Sequence, residues 1–142
     1  MFRIGMVFAV SACLAAPALG QESAIDGPLV VELNKLEQGE GDVCRAFFLF
    51  RNGTGRAFEG FEVSFALLDQ GGVIDQLLTV DAAPLPVART TLKLFEFPDV
   101  ACGDIAELLL HEIGACRPQN GEELDCFEFM ELQSKASAAL VQ

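Results

Sequence analysis

The sequence predicts an all-β protein, an immunoglobulin-like antiparallel β-sandwich of about seven strands held by two disulfides. Apolar side chains recur with period two over segments of about six to ten residues, which is typical of strands with one buried face. Clusters of Gly, Asn and Pro separate these segments, as turns separate strands in a sandwich. Four cysteines follow residue 28. A chain of 142 residues is long enough for one such domain, which we place at residues 29–133.

The first two strands follow from this alternation. Residues 29–33 come after a short N-terminal extension, 21–28, and present Leu29, Val31 and Leu33 on one face. After the Gly-rich turn at 39–42, a second strand is apolar on both faces, as expected of a central strand. Its predicted core positions are Cys44, Ala46, Phe48 and Phe50. Its opposite face carries Val43, Phe47 and Leu49.

Three further strands are separated by turn signals. The segment Asn52-Gly53-Thr54-Gly55 predicts a hairpin leading into a strand at 61–67, because Asn and Gly tolerate the positive φ of tight turns. A turn at 69–72 precedes a strand at 73–80. Pro84 and Pro86 then interrupt regular pairing, since proline lacks an amide donor, and a fifth strand covers 90–97.

The segment 105–116 fits the period of a helix as well as that of a strand. Because the preceding elements are strands, we predict a short turn at 102–105 followed by a strand. We expect the next strand, 126–132, to pair antiparallel with it. Residues 134–142 alternate little and are predicted to be a frayed tail.

The cysteines predict two disulfides. Cys44, Cys102, Cys116 and Cys126 are an even number, and sequence alone leaves three possible pairings open. Cys116 and Cys126 flank a polar, turn-forming segment and can face each other across it, which favours Cys116–Cys126 with Cys44–Cys102. A metal site is disfavoured because the spacings contain no C-x-x-C.

The N-terminus has the features of a signal peptide at residues 1–20. Arg3 precedes an apolar run at 4–16 and the small-residue end Ala18-Leu19-Gly20, which predicts cleavage before Gln21 and a periplasmic or secreted product. The run is shorter than the ~20 residues of a transmembrane helix, so no transmembrane anchor is expected. The alternative is a lipoprotein anchored through Cys13, which ends a lipobox-like segment.

Charge and composition exclude some functions. The chain has 21 acidic and 9 basic residues, a net charge of −12, which disfavours nucleic acid as a partner. Glu37, Glu40 and Asp42 lie close together in a Gly-rich loop and could bind calcium, but the segment lacks the sequence pattern of a calcium-binding loop. We predict no metal, no cofactor and no catalysis. The alternative is a small envelope hydrolase or thiol-redox protein using a Cys and His111, the sole histidine.

Several short segments spread along the chain are shared with other exported proteins. They are Leu33-Asn34-Lys35-Leu36-Glu37, Cys44-Arg45, Asn52, Gly72-Val73-Ile74, Leu85-Pro86 and the later cysteines. With these the sequence resembles small uncharacterised exported proteins of proteobacteria with an immunoglobulin-like β-sandwich pattern. The resemblance implies the fold and the compartment, and no activity.

The remaining candidate is a surface. If the even-numbered positions of the second strand face the core, Val43, Phe47 and Leu49 point away from it. Unless the segment 84–88 or the C-terminal tail covers them, they form an exposed apolar patch. We therefore predict a non-catalytic interaction or accessory module whose candidate binding face for an unknown envelope protein is Val43, Phe47 and Leu49.

Overall fold

The structure is a computed structural model that describes residues 25–142. The predicted signal peptide, its cleavage site and Cys13 lie outside the described residues. Eight strands form the fold: β1 Leu29–Gln38, β2 Val43–Asn52, β3 Phe58–Leu68, β4 Ile74–Asp81, β5 Thr90–Pro98, β6 Glu107–Pro118, β7 Met130–Ser134 and β8 Ala139–Val141. Two short 3-10 helices, Cys102–Asp104 and Cys126–Phe129, flank β6.

The strands form two four-stranded sheets. The order in the first sheet is β5-β2-β1-β7, and in the second it is β4-β3-β6-β8. Pairings among β1 to β6 are antiparallel, whereas β7 pairs parallel with β1 and β8 pairs parallel with β6. The prediction of an all-β fold in two sheets with two disulfides is confirmed, although the sheets are not wholly antiparallel.

Phenylalanine rings join the two sheets. Phe48 on β2 stacks on Phe65 of β3 with ring centroids 5.4 Å apart, and Phe50 meets Phe61 edge to face at 6.0 Å. All four rings are buried. The even-numbered positions of β2 therefore face the core, as the alternation predicts, and the odd-numbered positions face outward.

The hairpin predicted at Asn52–Gly55 is wrong, because β2 and β3 belong to different sheets. The Asn52 side chain is buried at this corner and donates from Nδ2 to the carbonyl oxygens of Arg56, at 2.7 Å, and Leu85, at 3.1 Å. Its Oδ1 accepts from the Thr54 hydroxyl at 2.6 Å. The amide thus satisfies backbone groups where the chain crosses between sheets, which a local turn signal cannot reveal.

The ambiguous segment 105–116 lies largely in β6, as predicted, after a 3-10 turn at Cys102–Asp104. The next predicted strand, 126–132, is only partly correct. Its first residues form the second 3-10 helix, where the Asp125 carboxylate accepts from the Phe127 amide at 3.2 Å. β7 then pairs with β1 in the first sheet instead of with β6.

The C-terminal segment 134–142 does not fray in the structure. β8 pairs with β6, and the Ala139 amide donates to the carbonyl of Ala106 at 3.0 Å. Ala138 and Leu140 are buried in the core. Two apolar side chains are too few to create a visible period in the sequence, yet their burial holds this segment against the second sheet.

Candidate partner-binding face

The predicted binding residues lie on the outer face of the first sheet. Val43, Phe47 and Leu49 alternate along β2 with buried core residues, and each is half-buried. The C-terminal tail, which could have covered them, pairs within the other sheet. Leu85, in the segment that was the other possible cover, is buried and bridges to Phe58 of β3.

The neighbouring edge strand extends this surface. In the register of β2 with β5, Leu49 lies opposite Leu92 and Phe47 lies opposite Leu94. Leu92 is 59% exposed and Leu94 is 49% exposed. Directly opposite side chains on one sheet face are in contact range, so Phe47, Leu49, Leu92 and Leu94 form a contiguous set, here called the apolar block.

Sequence reasoning missed the two leucines of the apolar block. The alternation from Thr91 to Phe97 that predicts β5 also places Leu92 and Leu94 together on one face. Which face of which sheet they join depends on pairing with β2, about 45 residues earlier in the chain, and the local pattern does not contain that information.

Charged side chains border the apolar block toward Val43. Arg45 lies between Val43 and Phe47 on the same face, with its Nε 3.3 Å from Glu96 on β5 and its Nη1 3.7 Å from Glu37 on β1. Val43 is therefore separated from the apolar block by an ion-pair cluster. These pairs are exposed and contribute little to stability, but they fix where the apolar surface ends.

A lysine lies over the ring of Phe47. The Lys35 ammonium lies 5.3 Å from the centroid of the Phe47 ring and also contacts Glu37. A cation over an aromatic face is attracted by the ring quadrupole. Phe47 therefore has a charged neighbour, Lys35, on β1 and an apolar neighbour, Leu94, on β5.

A buried carboxylate borders the apolar block on the β1 side. Glu32, opposite Leu49, is only 1% exposed. It accepts hydrogen bonds from Asn34 Nδ2 at 2.7 Å and from Arg51 Nη1 at 3.0 Å, and Lys135 Nζ lies 3.8 Å away. The Asn34 hydrogen bond, followed by that from Arg51, holds the pKa of Glu32 below its usual range despite burial.

The residues considered for catalysis do not come together. His111 is exposed on β6 of the second sheet, at an irregularity that leaves it without a register partner on β3. Cys44 pairs with Cys102 and Cys116 with Cys126, with Cα atoms 4.9 and 6.2 Å apart, so the predicted connectivity is confirmed. Within residues 25–142 both disulfides are closed and no cysteine is free.

The described residues contain neither a candidate metal cluster nor a candidate membrane-spanning helix. Across residues 25–142, no group of three or more His, Cys, Asp and Glu side chains is arranged to hold a metal ion. In that same stretch, no helix is long and apolar enough to cross a bilayer.

Comparison with known proteins identifies a fold neighbour. No protein-family model matches the chain, and no curated protein sequence matches it. The structure is similar to that of IrmA from Escherichia coli, with a TM-score of 0.57 and 18% sequence identity, covering 74% of this chain and 90% of IrmA. At this identity the likeness shows a shared fold and no more.

Proposed function

We propose that this protein is an exported β-sandwich module of the bacterial cell envelope that binds another envelope protein and catalyses no reaction. The apolar block on the outer face of the first sheet carries the proposal. Contiguous exposed apolar side chains with a polar border mark interaction sites on soluble domains. The ion pairs around Arg45 on one side and the Glu32 network on another supply that polar border.

The geometry of the apolar block supports binding to a protein surface. A flat sheet face offers no enclosed volume for a small ligand, but it can pack against a complementary surface. Phe47 and Leu49 are partly buried and fixed by their neighbours, whereas Leu92 and Leu94 project from an edge strand. Such a surface resembles the apolar centre of an interface, where a few large side chains supply most of the binding energy.

The disulfides support export and disfavour the rival chemistry. Disulfides persist in oxidising compartments such as the periplasm, which agrees with the proposed signal peptide at 1–20. A thiol nucleophile needs a free thiolate, and Cys44, Cys102, Cys116 and Cys126 are all paired. The proposal therefore assigns the four cysteines to stability and the exposed sheet face to function.

Site-specific photocrosslinking in living cells tests the proposal. A photoreactive phenylalanine analogue at Leu92 should give a discrete crosslinked product, because this side chain lies in the proposed interface. The matched control carries the same analogue at Thr79, which is exposed on β4 in the second sheet. The Phe47→Ser substitution should remove the Leu92 product. Crosslinks of equal yield from both positions, or none from Leu92, would contradict the proposal.

A further inference from the structure

The edge strand of the first sheet carries unpaired backbone groups beside the apolar block. β5 is the last strand on its side of the sheet. The backbone amide of Asn52 donates to the Arg89 carbonyl at 3.0 Å, and the Asn52 carbonyl accepts from the Ala88 amide at 3.1 Å. These bonds establish which residues of β5 direct their backbone groups toward β2. By the alternation of antiparallel pairs, Thr91, Lys93 and Phe95 bond to β2. The amides and carbonyls of Leu92 and Leu94 therefore point away from the sheet.

An acidic cleft lies at the C-terminal end of this edge. The cleft has a volume of about 170 Å³ and is lined by aspartates, leucines and other apolar residues. Its acidic members are Asp42, Asp69, Asp75, Asp99 and Asp104. The lining includes no Lys or Arg, and within residues 25–142 none of these aspartates is in an ion pair.

The cleft and the free edge are continuous. Asp99 follows Pro98, the last residue of β5, and Gln76 of β4 donates from Nε2 to the Pro98 carbonyl at 2.9 Å. This hydrogen bond holds Asp75 of β4 beside the end of β5. Uncompensated carboxylates close together create a negative potential that attracts cations and basic side chains.

We propose that the edge of β5 binds an extended segment of the partner, which adds to the first sheet as an antiparallel strand. Alternate apolar side chains of that segment would pack on Leu92 and Leu94, and basic residues at its N-terminal end would enter the acidic cleft. This inference rests on the proposed function and names its mode of binding. Strand addition uses backbone hydrogen bonds for affinity and alternate side chains for specificity.

The direction of the bound segment follows from the position of the charge. An antiparallel strand begins where β5 ends, so its N-terminal residues lie nearest Asp99. Lys93 points to the inner side and donates from Nζ to the Ala83 carbonyl at 3.0 Å. An inward-facing charge on an edge strand disfavours apolar neighbours there. The segment should therefore alternate polar residues inward with apolar residues outward, after a basic start.

Charge favours another protein over a second copy of this chain. Each copy carries a net charge of −12, so two copies repel each other, whereas a basic segment is attracted. Self-association through β5 is accordingly one of the outcomes that the test must separate.

Fluorescence anisotropy with the folded, disulfide-bonded chain tests strand addition. The probe is a labelled, end-blocked peptide of sequence Lys-Arg-Thr-Val-Thr-Val-Thr-Val. We expect it to bind and to bind at least tenfold more tightly than the same peptide beginning Glu-Glu. Two further peptides carry N-methyl groups on alternate amides, one set in each frame. Binding should be lost in the frame that donates to β5 and kept in the other.

Protein variants locate the basic end of the peptide. The triple substitution Asp75→Asn, Asp99→Asn and Asp104→Asn should weaken binding of the basic peptide about fivefold or more, because exposed charge pairs are individually weak but add when clustered. The matched control, Glu112→Gln, Glu122→Gln and Glu128→Gln, changes the net charge equally at other exposed positions and should leave binding unchanged.

Several results would overturn the inference. Absence of binding by any peptide would refute it, as would equal binding in both N-methyl frames, because a peptide lying on the sheet face does not use the edge amides. Sedimentation showing a dimer that the peptide disrupts would assign the edge to a second copy. If these tests fail while Leu92 still crosslinks in cells, strand addition is wrong and the proposed function stands. If the analogue at Leu92 gives no crosslink in the otherwise unaltered protein, the proposed function itself is refuted.

Discussion

The two faces of β2 should respond differently to mutation, and Phe48 and Phe47 provide the most direct comparison. Phe48 is fully buried, with ring centroids 5.4 Å from Phe65, 5.7 Å from Phe95 and 6.2 Å from Phe50. Replacing a buried Phe by Ala removes its transfer free energy and leaves a cavity, at a cost of ~3–5 kcal/mol. A domain of this size has a total stability of ~5–15 kcal/mol, so Phe48→Ala should leave it marginal.

Phe47 is less buried within the domain than Phe48. It is half-buried, and its one aromatic-charge contact, with Lys35, is worth ~0.5–1 kcal/mol at an exposed site. Phe47→Ser should therefore cost about 1 kcal/mol, a shift of a few degrees in Tm, against roughly 10–20 °C for Phe48→Ala. Because Phe47 belongs to the apolar block, Phe47→Ser should weaken partner binding although the variant stays folded.

Thermal unfolding followed by circular dichroism measures both effects on the oxidised chain. Leu49→Ser serves as a matched control on the same outer face and should behave like Phe47→Ser. The reasoning would be refuted by a Phe47 variant as unstable as the Phe48 variant, because both faces of β2 would then be packed within the domain and the strand would offer no surface to a partner.

Three further predictions concern charge, the sheet crossing and export. Because the folded pKa of Glu32 lies below its ordinary value of 4.5, the carboxylate stabilises the fold above about pH 4.5 and this contribution is lost as the pH falls toward the folded pKa. Glu32→Gln should cost ~1.5–3 kcal/mol at pH 7. It should also weaken the fall in stability at acidic pH, and an unchanged fall would contradict the stabilisation of the Glu32 carboxylate by Asn34 and Arg51. Asn52→Ala leaves buried carbonyls without a donor and should cost more than ~2 kcal/mol in urea titration, whereas a neutral effect would show that the corner is maintained without its amide. Intact-mass analysis of exported protein should give a chain beginning at or near Gln21, and acyl chains on Cys13 would identify a lipoprotein instead.

Local alternation was sufficient to predict most strands but not how they assemble. The period-two pattern of β2 places Phe48 inside and Phe47 outside, because side-chain direction alternates within any strand. The partner of each strand is a tertiary property. Asn52-Gly53 has the composition of a hairpin, yet it begins a crossing between sheets because the Asn52 amide bonds to Leu85, distant in sequence. The segment with Ala138 and Leu140 was assigned to a frayed tail because two buried residues are too few to make a period.

The candidate site was predicted only in part for the same reason. Phe47 and Leu49 are adjacent on one strand, so their shared face is visible in sequence. Leu92 and Leu94 join them through the β2–β5 register. The burial of Glu32 was not expected either, because a carboxylate on an outward face is ordinarily solvated, and here Asn34 and Arg51 enclose it.

The central claim is that the apolar block binds a protein partner and is dispensable for folding. Isothermal titration calorimetry tests it most directly. The partner identified by crosslinking at Leu92 is purified and titrated into the wild-type protein and into the double variant Leu92→Thr, Leu94→Thr. Threonine keeps the strand preference and removes the apolar surface. We predict at least a tenfold loss of affinity with a Tm within a few degrees of wild type. Equal affinities, with both proteins folded, would contradict the claim.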